Sequence, residues 1–131
     1  MTKADYLIYA AGDMKSGWQD DLRAALSPRF FIKDPRSHGL ADPADYTKWD
    51  LDAIKDSVAI VAYMGPHNPS GFGLSLECGF AHALGRPIIF VDGLGTDWRG
   101  PYFDMLRTIA QRVVSTMDDA ADAIHALFPS N

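Results

Sequence analysis

The sequence predicts an α/β domain built on one doubly wound, five-stranded parallel sheet, and three observations carry that expectation. Short runs rich in β-branched and other apolar residues, such as VAIVAYM at 58–64 and PIIFV at 87–91, read as strands buried on both faces. Segments of helical period alternate with these runs along the chain. Glycine or proline marks the breaks, and strands alternating with helices close through right-handed crossovers into a parallel sheet. With 131 residues the chain suffices for one domain with a real core and not for two, so residues 1–131 are read as a single domain.

The elements follow in order. Tyr6–Ala11 (YLIYAA) is the first strand, and Gly12–Gly17 a polar loop after it. Trp18–Leu26 places Trp18, Leu22, Ala25 and Leu26 on one helical stripe, ended by Pro28. Phe30–Ile32 is the second strand. Asp34–Tyr46 is a polar connection with two prolines, long enough to be a binding loop or lid. Asp34, Asp42 and Asp45 serve loop and helix ends, Asp45 as the cap of a helix over Tyr46–Lys55.

Val58–Met64 is the central strand. After the loop from Gly65, the spacing of Phe72, Leu76, Phe80 and Leu84 predicts a helix with these four on one apolar face. Gly85-Arg86-Pro87 stops it, and Pro87–Val91 is the fourth strand. Asp92–Pro101 is a second loop on the same edge, and Pro101 opens a helix through Ile109. Arg112–Ser115 is a brief fifth strand. Asp118–Phe128 closes the chain as an amphipathic helix whose leading aspartates suit its positive end. The expected strand order is 2-1-3-4-5, flavodoxin-like or Rossmann-like in the broad sense, with a switch point between strands one and three.

Composition narrows the function. The chain is 47% hydrophobic and 22% charged, ordinary for a soluble globular protein, and no apolar stretch or leader pattern marks a membrane span or secretion. A net charge of −5 argues against a nucleic-acid polymer as partner but leaves room for a small anionic substrate. One cysteine excludes an internal disulfide and fits the cytoplasm. His38, His125 and Cys78 share no metal-ligand spacing, so no metal or other cofactor is expected. Cys78 and His82 are read as helix residues, Trp18 and Trp49 as packing residues, and Tyr102–Met105 as core or an oligomer face.

Ligands of such sheets bind beyond the carboxyl ends of the strands, at the switch point. The loops after Ala11 and Met64 flank that crevice, so Gly12, Asp13, Lys15, Asn68, Ser70 and Glu77 are expected to converge there. Gly71 and Gly73 let backbone approach a ligand, and the following helix offers unpaired N–H groups, although Gly-Phe-Gly is not the dinucleotide fingerprint. Glu77, near that helix start, reads either as a plain N-terminal helix acid or as a carboxylate kept ionised for nucleophilic attack.

Four stretches, Leu7–Gly12, Asp50-Leu51-Asp52-Ala53-Ile54-Lys55, Gly71–Gly79 with Glu77, and Gly85-Arg86-Pro87-Ile88, resemble the nucleoside 2-deoxyribosyltransferase family and its 2′-deoxynucleoside 5′-monophosphate N-glycosidase relatives. The likeness runs from about Tyr6 to about Val91. It implies a small nucleoside or nucleotide substrate and a retaining transfer or hydrolysis at its anomeric carbon, without a cofactor. Glu77 then matches the nucleophile that forms a glycosyl-enzyme ester. Asp50 matches the acid that assists the leaving base, and Tyr9 the tyrosine that holds the nucleophile. The family's subunits complete one another's sites, which implies a homo-oligomer, a dimer or higher. A non-catalytic nucleotide-binding module is the reading from another class.

Departures from the pattern are specific. Gly71 stands where the transferases carry a sugar-binding aspartate, and Ser70 lies one residue before the serine of the monophosphate hydrolases. Asp13 and Lys15 stand where those hydrolases offer a serine and an arginine to the 5′-phosphate. Asp13 is therefore a candidate substitute for the missing sugar-binding carboxylate.

Overall fold

The computed structural model describes residues 6–130; residues 1–5, where a leader segment would begin, and residue 131 lie outside the description. Its strands are β1 (Tyr6–Gly12), β2 (Phe30–Lys33), β3 (Ala59–Met64), β4 (Ile88–Asp92) and β5 (Arg112–Val114). All pair in parallel, in the order β2-β1-β3-β4-β5 expected from the sequence. The helices are α1 (Trp18–Ala25), α2 (Pro43–Asp56), α3 (Phe72–Ala83), α4 (Asp104–Ile109) and α5 (Met117–Leu127). Among the described residues no helix is long and apolar enough to cross a membrane.

Strand alternation divides the core into two layers. Ile8, Ala10, Val61, Ile89 and Val91 point to one face and pack with Trp18 and Leu22 of α1 and Ala120 and Ile124 of α5. Tyr9, Ala11, Ile60, Ala62 and Phe90 point to the other, against Ile54 of α2, Leu74 and Cys78 of α3 and Leu106 of α4. The parity of β1 thus sends Tyr9 into the layer that α2 and α3 cover. An uncharged phenol fits there because its ring supplies apolar surface and its hydroxyl finds a partner.

Several boundaries differ from those expected. Helix α2 begins at Pro43, after Asp42, because proline suits a first turn whose N–H is unneeded; Asp45 lies inside that turn and is not its cap. Pro101 belongs to a 3₁₀ turn, Gly100–Phe103, that leads into α4. Helix α5 starts at Met117, where Thr116 Oγ1 accepts the Asp119 N–H at 3.1 Å. Asp34 does cap a turn, accepting Arg36 N–H at 2.9 Å, and it is buried there, gripped by Arg36 Nη2 at 2.7 Å.

The face of α3 is a correction of greater consequence. Leu74, Cys78 and Ala81 are its buried residues, whereas Phe72 is 81% and Leu76 63% exposed. Apolar side chains surround this helix on nearly every side, so periodicity alone cannot select the face that meets the sheet. The smaller side chains take the close contact with β3 and α2. Of the four residues at four-residue spacing, Phe80 and Leu84 still pack against the core at the helix's C-terminal end. Phe72 and Leu76 turn outward, Phe72 beside the exposed Trp98 and Tyr102.

Candidate active site

A cavity of about 370 Å³ opens at the carboxyl edge of the sheet. Tyr9, Gly12, Asp50, Asn68, Ser70, Gly71, Gly73 and Glu77 line it, so eight of the ten residues singled out from the sequence meet on one wall. Each arrives by a local rule. Tyr9 comes from the middle of β1, on the α2–α3 face. Asp50 lies one helical turn before Ile54, on the inward side of α2. Glu77 lies three residues after Leu74 and four before Ala81, on the edge of the buried face of α3.

The Tyr9, Asp50 and Glu77 side chains are neighbours. Tyr9 is fully buried, and its hydroxyl donates to Glu77 Oε2 at 2.7 Å. Burial, together with the charges of Glu77 and Asp50, raises the phenol far above its ordinary range, so Tyr9 is a fixed donor rather than a base. Asp50 lies within hydrogen-bonding reach of the Glu77 carboxyl. Burial pushes the Glu77 carboxyl up from 4.5 to about 8, against the Tyr9 hydrogen bond and with the help of the Asp50 charge. Asp50 is also raised, again first by burial. The expectation that the helix N-terminus keeps Glu77 ionised therefore fails. Its Cα lies beyond the first turn of α3, where the dipole effect has faded, and desolvation wins.

Asp50 Oδ1 is buried without a hydrogen-bond partner in the protein, and His38 Nε2 lies 3.6 Å away. Leu40 N–H donates to His38 Nδ1 at 2.9 Å, so the neutral ring carries its proton on Nε2, facing Asp50. Trp49 packs edge-on to the imidazole at 5.0 Å between centroids. Sequence reading passed over His38, Met14, Pro35, Leu40, Tyr46 and Leu74, all on the cavity wall. The signal available for four of them was the length of the Asp34–Tyr46 loop.

Asp13 and Lys15 do not line the cavity. The Asp13 carboxylate is folded onto its own loop, accepting Ser16 N–H at 2.7 Å, Lys15 N–H at 3.0 Å and Ser16 O–H at 2.9 Å. Burial there is more than offset by these donors, which hold the carboxyl below its usual range. Gly71 has a left-handed φ of 77°, and a Cβ on it would lie 2.7 Å from the Phe103 ring and 2.9 Å from Met64 Sδ. Backbone shape and packing thus require glycine where a sugar-binding aspartate was considered. Cys78 is buried and its thiol is raised by burial and by Glu77, which suits an inert packing residue. Among the described residues no group of three or more His, Cys, Asp or Glu side chains could hold a metal ion.

No protein-family model and no curated protein matches the chain. Solved structures do. A CMP N-glycosidase from Clostridium botulinum superposes with a TM-score of 0.62 at 20% identity, over 92% of this chain and 98% of that one. A 2-deoxyribosyltransferase from Bacillus psychrosaccharolyticus gives 0.68 at 17% identity, over 88% and 90%. One from Leishmania mexicana gives 0.70 at 19% identity, over 95% and 99%. At such identities the likeness establishes a common fold. It extends well past Val91, where the motif resemblance in the sequence ends.

Proposed function

We propose that this protein is an N-glycosyl enzyme of the nucleoside 2-deoxyribosyltransferase kind, with Glu77 as nucleophile, Asp50 as acid and Tyr9 as the donor that orients Glu77. The observation that carries the reading is the Tyr9–Glu77 contact beside Asp50 in an open cavity. The fold shared with two 2-deoxyribosyltransferases and a CMP N-glycosidase supports it.

The chemistry follows from two buried carboxyls that resist ionising together. The pair shares one proton, which rests on Glu77 because the Asp50 charge helps to raise it; in the reactive tautomer that proton has passed to Asp50 and Glu77 is an anion. Tyr9 holds Oε2, so Oε1 attacks C1′. The bond from C1′ to the base nitrogen breaks, its electron pair goes to the base, and the Asp50 proton neutralises that nitrogen. A glycosyl ester on Glu77 remains. A second base or water then attacks C1′, Asp50 takes its proton, and the Glu77 carboxylate is restored. Nε2–H of His38 faces the oxygen of Asp50 that carries negative charge after the proton leaves.

Nucleosides are favoured over 5′-monophosphates as substrates because, among the described residues, no Lys or Arg lines the cavity. Hydrolysis of a 5′-monophosphate is the second reading. Gly73 and Leu74, in the first turn of α3, line the wall beside Ser70, and a helix N-terminus there would favour a phosphate, although Gly71 N–H and Phe72 N–H are already taken by Asn68 Oδ1 and Ser70 Oγ. Incubation with a panel of deoxynucleosides and their 5′-monophosphates, with and without a second free base, tests the proposal. Base exchange on nucleosides is the expected result. Free base from monophosphates alone favours the hydrolase, and saturable binding without base release makes the protein a nucleotide-binding module.

A homo-oligomer is part of the same proposal. Phe72, Trp98 and Tyr102 line one apolar groove, and Leu76, one turn after Phe72 on α3, is exposed beside it, a surface of the kind that monomers rarely expose. Leu76→Glu is expected to lower the mass found by sedimentation equilibrium to that of one chain; a wild-type protein already monomeric at micromolar concentration would contradict this. The lone buried Cys78 is in keeping with a reducing, cytoplasmic setting.

A further inference from the structure

We propose that Arg99 is a positioning residue that sets the substrate-binding rim of the cavity from outside it. This rests on the N-glycosyl reading above. The rim is the loop between β3 and α3, which has no ladder of its own and contains two prolines, Pro66 and Pro69, that cannot donate. Three of its carbonyls point at one guanidinium. Arg99 Nη2 donates to Pro66 O at 2.9 Å, and Nη1 donates to Asn68 O and, at 3.3 Å, to Pro69 O. The remaining donors go to Asp97, Nε to Oδ1 at 3.0 Å and Nη2 to Oδ2 at 2.9 Å. All five N–H groups of the planar fork are therefore used. The side chain is only 12% exposed, and Asp97, held down at about 2 by the same arginine, balances its charge.

What the clamp fixes is functional. Asn68 Oδ1 accepts Gly71 N–H at 3.2 Å, and Asn68, Ser70 and Gly71 all line the cavity. Arg99 itself does not line it. On the other side, the clamp is tied to the sheet by Arg107, which donates to Asp92 Oδ2 at 2.9 Å and to Gly100 O at 2.7 Å. A rigid path thus runs from the end of β4 through Arg107 and Arg99 to the rim. Lysine cannot reproduce it, because a single ammonium cannot reach a carboxylate and three carbonyls at once.

A loop that must be ordered by the substrate weakens binding without touching the reacting atoms, so KM rises while kcat holds. For Arg99→Lys and Arg99→Ala, KM for the best substrate of the panel is expected to rise about tenfold, with kcat within about twofold and its pH profile unmoved. Hydrogen exchange at residues 68–72 of the free protein should quicken while β1 and β3 stay protected. Asn68→Ala should raise KM in the wild type and add little in the Arg99→Ala background, since both act through one loop. Multiplicative effects of the two substitutions, or a loss confined to kcat, would overturn the proposal. Exchange quickened equally across the sheet would do the same, by making Arg99 a general stabiliser. Should the unmodified protein turn over no member of the panel, the functional reading fails, and the exchange experiment still decides whether Arg99 holds the loop.

Discussion

Glu77→Gln is expected to abolish turnover, by at least about 10³-fold, while making the protein more stable in alkali. The amide fills the same space and still accepts from Tyr9, but it cannot form the ester. The stability effect has the opposite sign because burial raises the Glu77 carboxyl from 4.5 to about 8. Below about 4.5 the group is neutral in both folded and unfolded chains. As pH rises from there through about 8, the unfolded chain releases its proton first, so the folded state is progressively penalised. The variant lacks this term. Thermal unfolding should show the two proteins alike near pH 4.5, and the variant ahead by about 3 °C or more at pH 9. Activity retained in the variant would remove Glu77 from the mechanism. Inactivity with identical pH–stability curves would mean that Glu77 is not desolvated.

Asp50→Asn is expected to cost about 10²–10⁴-fold in kcat on bases that must be protonated to leave. The loss should be far smaller on an N7-methylated purine nucleoside, whose base carries a positive charge already and departs without a proton. An equal loss on both substrates would refute proton donation by Asp50. A second consequence concerns the acid limb of the pH–rate profile. The Asp50 charge helps to raise Glu77, so its removal lets Glu77 ionise at lower pH and shifts that limb downward. Single-turnover rates between pH 4 and 9 on the methylated substrate read this shift without interference from the lost acid.

These outcomes depend on a feature that the sequence suggested only halfway. Glu77 stood out as an acid beside an apolar face, and its position near a helix start argued for a carboxylate that ionises easily. The structure places it beyond the first turn and under the α2–α3 layer, where desolvation outweighs the dipole. Asp50 and Tyr9 were legible through motif resemblance alone. Their physical reason, the parity of β1 and the inward turn of α2 one step before Ile54, appeared only with the fold. His38 was not legible, because a histidine in a polar loop carries no sign of the helix residue it will face.

The sequence by itself determined the strands, their parallel order and the pair of loops that meets at the switch point. Each of those rests on local information: buried runs, helical stripes, turn residues and the handedness of crossovers. Only the tertiary structure decided which face of α3 turns inward, since a helix apolar all round gives no local preference. It alone showed that Gly71 must be glycine, because the constraint comes from Phe103 and Met64, distant in sequence. It also withdrew Asp13 and Lys15 from the cavity, since the Asp13 carboxylate is satisfied within four residues of its own loop. Long-range packing and desolvation, which no short window of residues encodes, made those choices.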